Sequence, residues 1–271
     1  MMRHLPVAII VIAQLFGTSL WFSANSAADD LMRQWGASPA DIGSLTNATQ
    51  LGFILGTLAF AVSGLADRFP ASRIFAVCAV LGAAANAGFA FLAGGIDAGI
   101  LWRFAVGLSL AGVYPLGMKL VVSWEPERTG AALAWLVGML TLGTSLPQGI
   151  RALGTTWQWQ APILAASSLS VVAALMILRL GDGPHLKRGH GAPAITLGGV
   201  FRAFQIPEYR ASALGYFGHQ WELYAMWTLT PMLVAKSSLA AALGVSIPAL
   251  AFAIIGIGAL GCVLGGHFSA R

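Results

Sequence analysis

The chain has 271 residues, of which 57% are hydrophobic and only 9% charged, with a mean hydropathy of +0.77. A soluble domain carries about 25% charged residues, so much of this surface must face lipid instead of water. The net charge of +5 raises nucleic acid as a partner, but the bases are scattered between apolar runs and form no tract, which excludes it.

A bilayer core about 30 Å thick requires ~20 apolar residues per helix. In chain order, eight runs meet that need: 6–30, 42–63, 72–94, 98–123, 130–150, 158–180, 209–234 and 246–268. Loop chemistry separates them, as in Asp67-Arg68-Phe69-Pro70, Glu125-Pro126-Glu127-Arg128 and Gly181-Asp182-Gly183-Pro184. The runs are rich in Ala, Gly and Leu without alternation, so the predicted fold is an all-α polytopic membrane protein and not a barrel. Gly52, Gly56, Gly256 and Gly258 suit close approach of helices in lipid.

The first run also resembles a signal peptide, with a basic start, apolar Val7–Phe22 and small residues at 23–27. Seven further spans, and polar residues within the run itself, favour a retained helix. With the N-terminus placed in the cytoplasm, eleven Lys or Arg fall inside, among them Arg68, Arg73, Lys119 and Arg128. Four fall outside: Arg33, Arg103, Arg151 and Lys236. This bias predicts a multi-pass protein of the bacterial inner membrane with a cytoplasmic N-terminus.

Residues 181–208 are rich in Gly and Pro and read as a cytoplasmic linker. It divides a six-helix unit at 1–180 from an incomplete unit at 209–271. Ile195, Val200, Phe201 and Phe204 with Arg202 suit a short interfacial helix in it. His185 and His190 stand there without Cys or acidic neighbours, and Cys78 and Cys262 lie in apolar runs. No metal, disulfide or cofactor is expected.

Two stretches carry a family likeness. Ser63-Gly64-Leu65-Ala66-Asp67-Arg68-Phe69-Pro70-Ala71-Ser72-Arg73 resembles the loop between helices 2 and 3 of the major facilitator superfamily. It matches at Leu65, Ala66, Asp67 and Arg68 and departs at Ser63, Pro70, Ala71 and Ser72, while Arg73 keeps one base. A carboxylate here can hold a helix N-terminal dipole and a guanidinium. The resemblance implies a latch on the outward-facing state; the alternative is a plain positive-inside turn. Arg103, Gly107, Gly112, Tyr114 and Pro115 resemble the family's helix 4 signature, an Arg followed four residues later by Gly. The segment at 266–271 is similar to the start of the first loop, with Ala270 at the Asp position, as a six-helix repeat implies. That resemblance implies twelve helices, so the chain is expected to hold one bundle and two helices of the second, lacking its C-terminal half.

Polar residues inside spans supply the candidate sites. Glu222 falls near the middle of the seventh run, with His219 and Tyr216 on its helix face, and suits proton coupling or solute contact. Gln14, Thr18, Trp21 and Asn25, spaced 4, 3 and 4, make a stripe facing a cavity or another helix. The fifth run adds Gln148 and Arg151. Arg103 is placed to snorkel towards the outer surface or to meet solute, and Pro115 and Pro147 are expected to bend their helices.

The resemblance implies secondary active transport of a small solute, an anion or polar metabolite, by alternating access with proton symport. Lipid and that solute are the expected partners. One alternative is a truncated or sensory protein that does not transport. Another is a drug/proton antiporter, disfavoured because Leu142–Gly149 lacks the Gly-Pro pair of that branch. Nitrate and nitrite porters carry arginines in helices 2 and 8, absent here. No His/Asp cluster, Ser–His pair or phosphate-binding Gly loop points to an enzyme.

Overall fold

The computed structural model describes residues 5–154, 156–186 and 197–269, and among them every regular element is a helix. In order these are α1 (Leu5–Thr18), α2 (Ala28–Trp35), α3 (Pro39–Ser63), α4 (Leu65–Arg68), α5 (Ala71–Leu92), α6 (Ile96–Leu110) and α7 (Tyr114–Trp124). Then follow α8 (Thr129–Leu153), α9 (Gln160–Leu180), α10 (Leu197–Ala203), α11 (Pro207–Lys236), α12 (Leu239–Ala242), α13 (Ile247–Gly256) and α14 (Gly258–Ser269).

Six stretches of described residues are long and apolar enough to cross a membrane, where eight were expected: 39–63, 71–92, 96–124, 126–153, 160–180 and 247–268. The first expected span differs because its helix breaks. α1 ends at Thr18, the chain turns, and a short 3-10 segment at Ala24–Ala27 leads into α2. Side-chain hydroxyls accompany the break: Ser19 donates to the Phe16 carbonyl (2.6 Å) and Ser26 to that of Ser23 (2.7 Å). Such local bonds compete with the helical ladder. The seventh expected span, α11, is long enough at 30 residues, but His219, Gln220 and Glu222 dilute its apolar character.

The fourth span divides into α6 and α7 at residues 111–113, with Pro115 in the first turn of α7. Proline lacks the N–H that a continuous ladder would need there, so the expected bend falls where the ladder is already open. α8 by contrast continues through Pro147. α3 starts on a capping box between Ser38 and Asp41. It ends at Gly64, whose φ of +64° is left-handed.

Packing depends on small residues. α3 meets α6 so closely that a side chain on Gly52 would strike the Phe104 carbonyl, and one on Gly107 the Thr49 carbonyl. α5 packs on α9 and α6, and α1 on α8 and α9. α13 and α14 lie along α8, where Gly138 faces the Ala259 backbone and Gly266 faces Ala134. α11 packs on α13. Contacts of this kind replace a hydrophobic driving force between helices in lipid. The expected interfacial helix corresponds to α10, which includes Phe201 and Arg202, with Phe204 one residue beyond it. Ile195, His190, Ala270 and Arg271 lie outside the described residues.

Candidate functional site

The broken first helix organises the site, and Arg103 of α6 holds it. Arg103 is 1% exposed, so the expected snorkelling is replaced by burial in the helical core. Its Nε donates to Thr49 Oγ1 (3.2 Å), and its Nη1 to Ser23 Oγ (3.2 Å) and Asn86 Oδ1 (2.9 Å). Nη2 donates to the Leu20 carbonyl (3.0 Å) and to that of Trp21. All five guanidinium donors are therefore satisfied, which is the condition for keeping such a group out of water. The guanidinium also lies 5.9 Å from the Phe89 ring centroid. The two carbonyls it takes belong to the unwound segment, where that of Leu20 also accepts the Ser23 backbone N–H at 3.4 Å.

Asn86 completes this network. It accepts from Ser23 Oγ (2.7 Å) and donates to the Ile163 carbonyl (2.9 Å) and Ser167 Oγ (3.0 Å). Sequence reasoning missed it; the available signal was a lone amide within the Ala- and Gly-rich run of α5.

The break redirects the polar stripe of the first span. Asn25 Nδ2 donates to Thr46 Oγ1 (2.9 Å), and Gln148 Nε2 donates to the Asn25 carbonyl (3.3 Å). Both are thus bonded between helices. Gln14 is fully buried against Gly117, and its amide has no hydrogen-bond partner among the described residues. Trp21 alone of the four lines a cavity, with its indole N–H on Gln50 Oε1 (3.2 Å).

That cavity, about 490 Å³, lies between the break and α7, α8, α11, α13 and α14. Its polar and aromatic walls include Trp21, Tyr114, Thr141, His219, Tyr224 and Cys262, and no described Asp, Glu, Lys or Arg lines it. Trp21 and Tyr224 face one another with centroids 6.0 Å apart and planes 30° apart. Trp227 stands edge-on to Tyr224 at 5.6 Å, and Phe22 edge-on to Trp227 at 5.7 Å.

Tyr216 and His219 reach this cavity; Glu222 does not line it. The Glu222 side chain is 77% exposed, with Oε2 3.7 Å from His219 Nδ1. The expected burial of this carboxylate is therefore not observed. The structure brings Trp21, Tyr216 and His219 together and leaves Gln14, Asn25, Gln148, Arg103 and Glu222 off the cavity wall.

At one end of the bundle, Asp67 of α4 pairs with Lys119 of α7 (2.6 Å), and Lys119 also donates to the Ala66 carbonyl (2.6 Å). An ammonium therefore occupies the place expected of a guanidinium. The N-terminus of α5 is met by a different carboxylate, as Asp182 Oδ1 accepts from the Ser72 N–H (2.8 Å). Leu65 and Arg68 share α4 with Asp67, and Arg73 lies in the first turn of α5. At the opposite end, Asp30 of α2 pairs with Arg151 of α8 (2.6 Å) and Arg33 (2.5 Å). Arg151 also donates to the Trp157 carbonyl (2.6 Å).

Long apolar helices packed through small residues, with a broken helix tied to a buried cation among them, define a multi-pass helical membrane protein. The chain belongs to the Major Facilitator Superfamily, whose sequence pattern matches residues 9–271. It is 32% identical over 120 residues to the niacin transporter NiaP of Acinetobacter baylyi, covering 41% of this chain and 27% of that protein. It is 25% identical over 157 residues to a protein of Bacillus subtilis named as a candidate niacin/nicotinamide transporter, covering 56% and 38%. The fold is similar to that of a bacterial homologue of the human lysosomal transporter Spinster, solved inward-facing and unoccupied. There the TM-score is 0.62 at 18% identity, over 95% of this chain and 59% of that one. The chain thus spans less than two thirds of the length of each of these proteins.

Proposed function

We propose that this chain is part of a secondary active transporter that moves a small solute by alternating access, coupled to protons. The observation that carries the reading is the cavity beside the broken helix: among the described residues no charged side chain lines it, and one imidazole, His219, does. An imidazole can both accept and donate a proton, so it suits carrying a proton together with the solute. In this reading residues 1–180 form the first bundle, 181–208 the cytoplasmic linker and 209–271 the start of the second bundle. The N-terminus is cytoplasmic and the membrane is the bacterial inner membrane. Asp67 and Lys119 then form a cytoplasmic clasp that opens and closes with the cycle.

The names of the two relatives support a pyridine carboxylate as solute, which agrees with the small anion expected from the sequence. A chamber of about 490 Å³ has room for such a ring. The test is uptake of labelled pyridine-3-carboxylate into proteoliposomes under an imposed proton gradient. Uphill accumulation that His219→Gln abolishes, with solute exchange retained, supports the reading. Accumulation unchanged in that variant removes His219 from coupling. The second reading, a protein that does not transport by itself, draws on the 59% coverage of the solved relative. It requires no uptake but intact solute binding.

A further inference from the structure

We propose that Trp21 and Tyr224 form a clamp for the flat ring of a conjugated solute, selecting planar over puckered rings at the site. The proposal rests on the transport reading above only in naming the site as the solute chamber. The clamp itself is argued from the geometry of its two walls.

Trp21 and Tyr224, with centroids 6.0 Å and planes 30° apart, are an aromatic pair in contact and hold no space for a third ring between them. Carbon atoms in contact sit about 3.5–4.0 Å apart, so a ring held on both faces requires roughly 7–8 Å. The pair must therefore part by roughly the thickness of one ring, about 3.5 Å, to form the slot, with one wall fixed and the other moving.

The Trp21 wall is fixed from three directions. Its indole N–H is bonded to Gln50, its carbonyl accepts from Arg103, and Phe53 packs on it at 4.8 Å. The Tyr224 wall is carried by α11, which packs on α13. Trp227, edge-on, supports Tyr224 on the same helix. The slot thus opens by displacement of α11 from the broken helix, without loss of any hydrogen bond that positions Trp21.

The surrounding chamber is consistent with a ring bearing one small polar substituent. Thr141 and His219 give polar groups on the wall, and no described charged side chain competes for the ring faces. Aromatic faces reward flat, polarisable surfaces. A saturated ring of the same size cannot lie flat against both walls and has no π-face. Hydrophobicity alone would not distinguish the two so sharply, and this makes the clamp testable.

The experiment measures binding of benzoate and cyclohexanecarboxylate, a planar and a puckered ring of the same charge, to the purified protein by calorimetry. The expected result is at least a tenfold preference for the planar acid. Trp21→Leu and Tyr224→Leu should each reduce it to about threefold or less, while Trp21→Phe retains most of it. Melting temperatures identify any variant that fails to fold, and Tyr224→Leu stands in if Trp21→Leu does. Equal affinity for both rings, no binding of either, or a preference that survives both Leu variants would overturn the clamp. Planar-selective binding without uptake would instead overturn the transport reading and leave the clamp standing.

Discussion

Replacing Arg103 by Leu tests whether the buried cation holds the first helix open. In the native protein its five donors satisfy the carbonyls of Leu20 and Trp21 and the oxygens of Ser23, Thr49 and Asn86. After the substitution Ser23 still bonds Asn86, and Thr49 still donates to the Leu45 carbonyl. Leu20 O keeps the Ser23 backbone N–H, so Trp21 O and one side of Asn86 lose most. Each buried group left unsatisfied costs about 1–3 kcal/mol. Relief from burying a charge offsets part of this, and the shorter Leu leaves a void. The net expectation is a loss of about 3 kcal/mol, in the range seen when a buried charge network is broken. For a chain of this size that lowers Tm by roughly 6–12 °C. Arg103→Lys should recover little, because an ammonium cannot reproduce the planar fork. The assay is thermal unfolding of the purified protein in detergent. An Arg103→Leu melting temperature within about 2 °C of wild type would refute the reasoning.

Three further outcomes follow from the same contacts. Gln14→Leu removes a buried amide that has no partner among the described residues, so it should raise stability by about 1 kcal/mol, and a fall in Tm would contradict this. Gly107→Ala places a methyl group against the Thr49 carbonyl, and should force α3 from α6 at a cost of about 1–3 kcal/mol, read as lower Tm and yield. Lys119→Met breaks a half-exposed ion pair with Asp67; the loss should stay below about 1 kcal/mol and shrink in high salt, measured by unfolding at two ionic strengths.

Much of the fold was legible from hydropathy, because a bilayer imposes one length and one composition on whatever crosses it. The Leu65–Arg68 turn and the Arg103–Gly107 spacing named the family for the same reason: both are local patterns. What stayed hidden was non-local or depended on the backbone. A hydropathy run counts the residues from 6 to 30 as one helix whether or not the ladder breaks at Ser19. Arg103 looked able to snorkel because its partners Ser23, Thr49 and Asn86 come from three other elements. Lys119 and Asp182 took the places on the Asp67 loop that local reasoning gave to other groups, each from far along the chain. Glu222 was read as buried from its position in a run, but a run does not tell which face of α11 is covered.

The chamber carries the functional conclusion, and Cys262 tests it most directly. Its thiol lines the chamber, 3.9 Å from the Thr141 hydroxyl. In a Cys78→Ala background, a water-soluble cationic methanethiosulfonate should label Cys262 in membranes, and pyridine-3-carboxylate should slow that labelling. A thiol that never reacts, or one labelled at a rate the solute does not change, would contradict a water-filled chamber that binds the transported molecule.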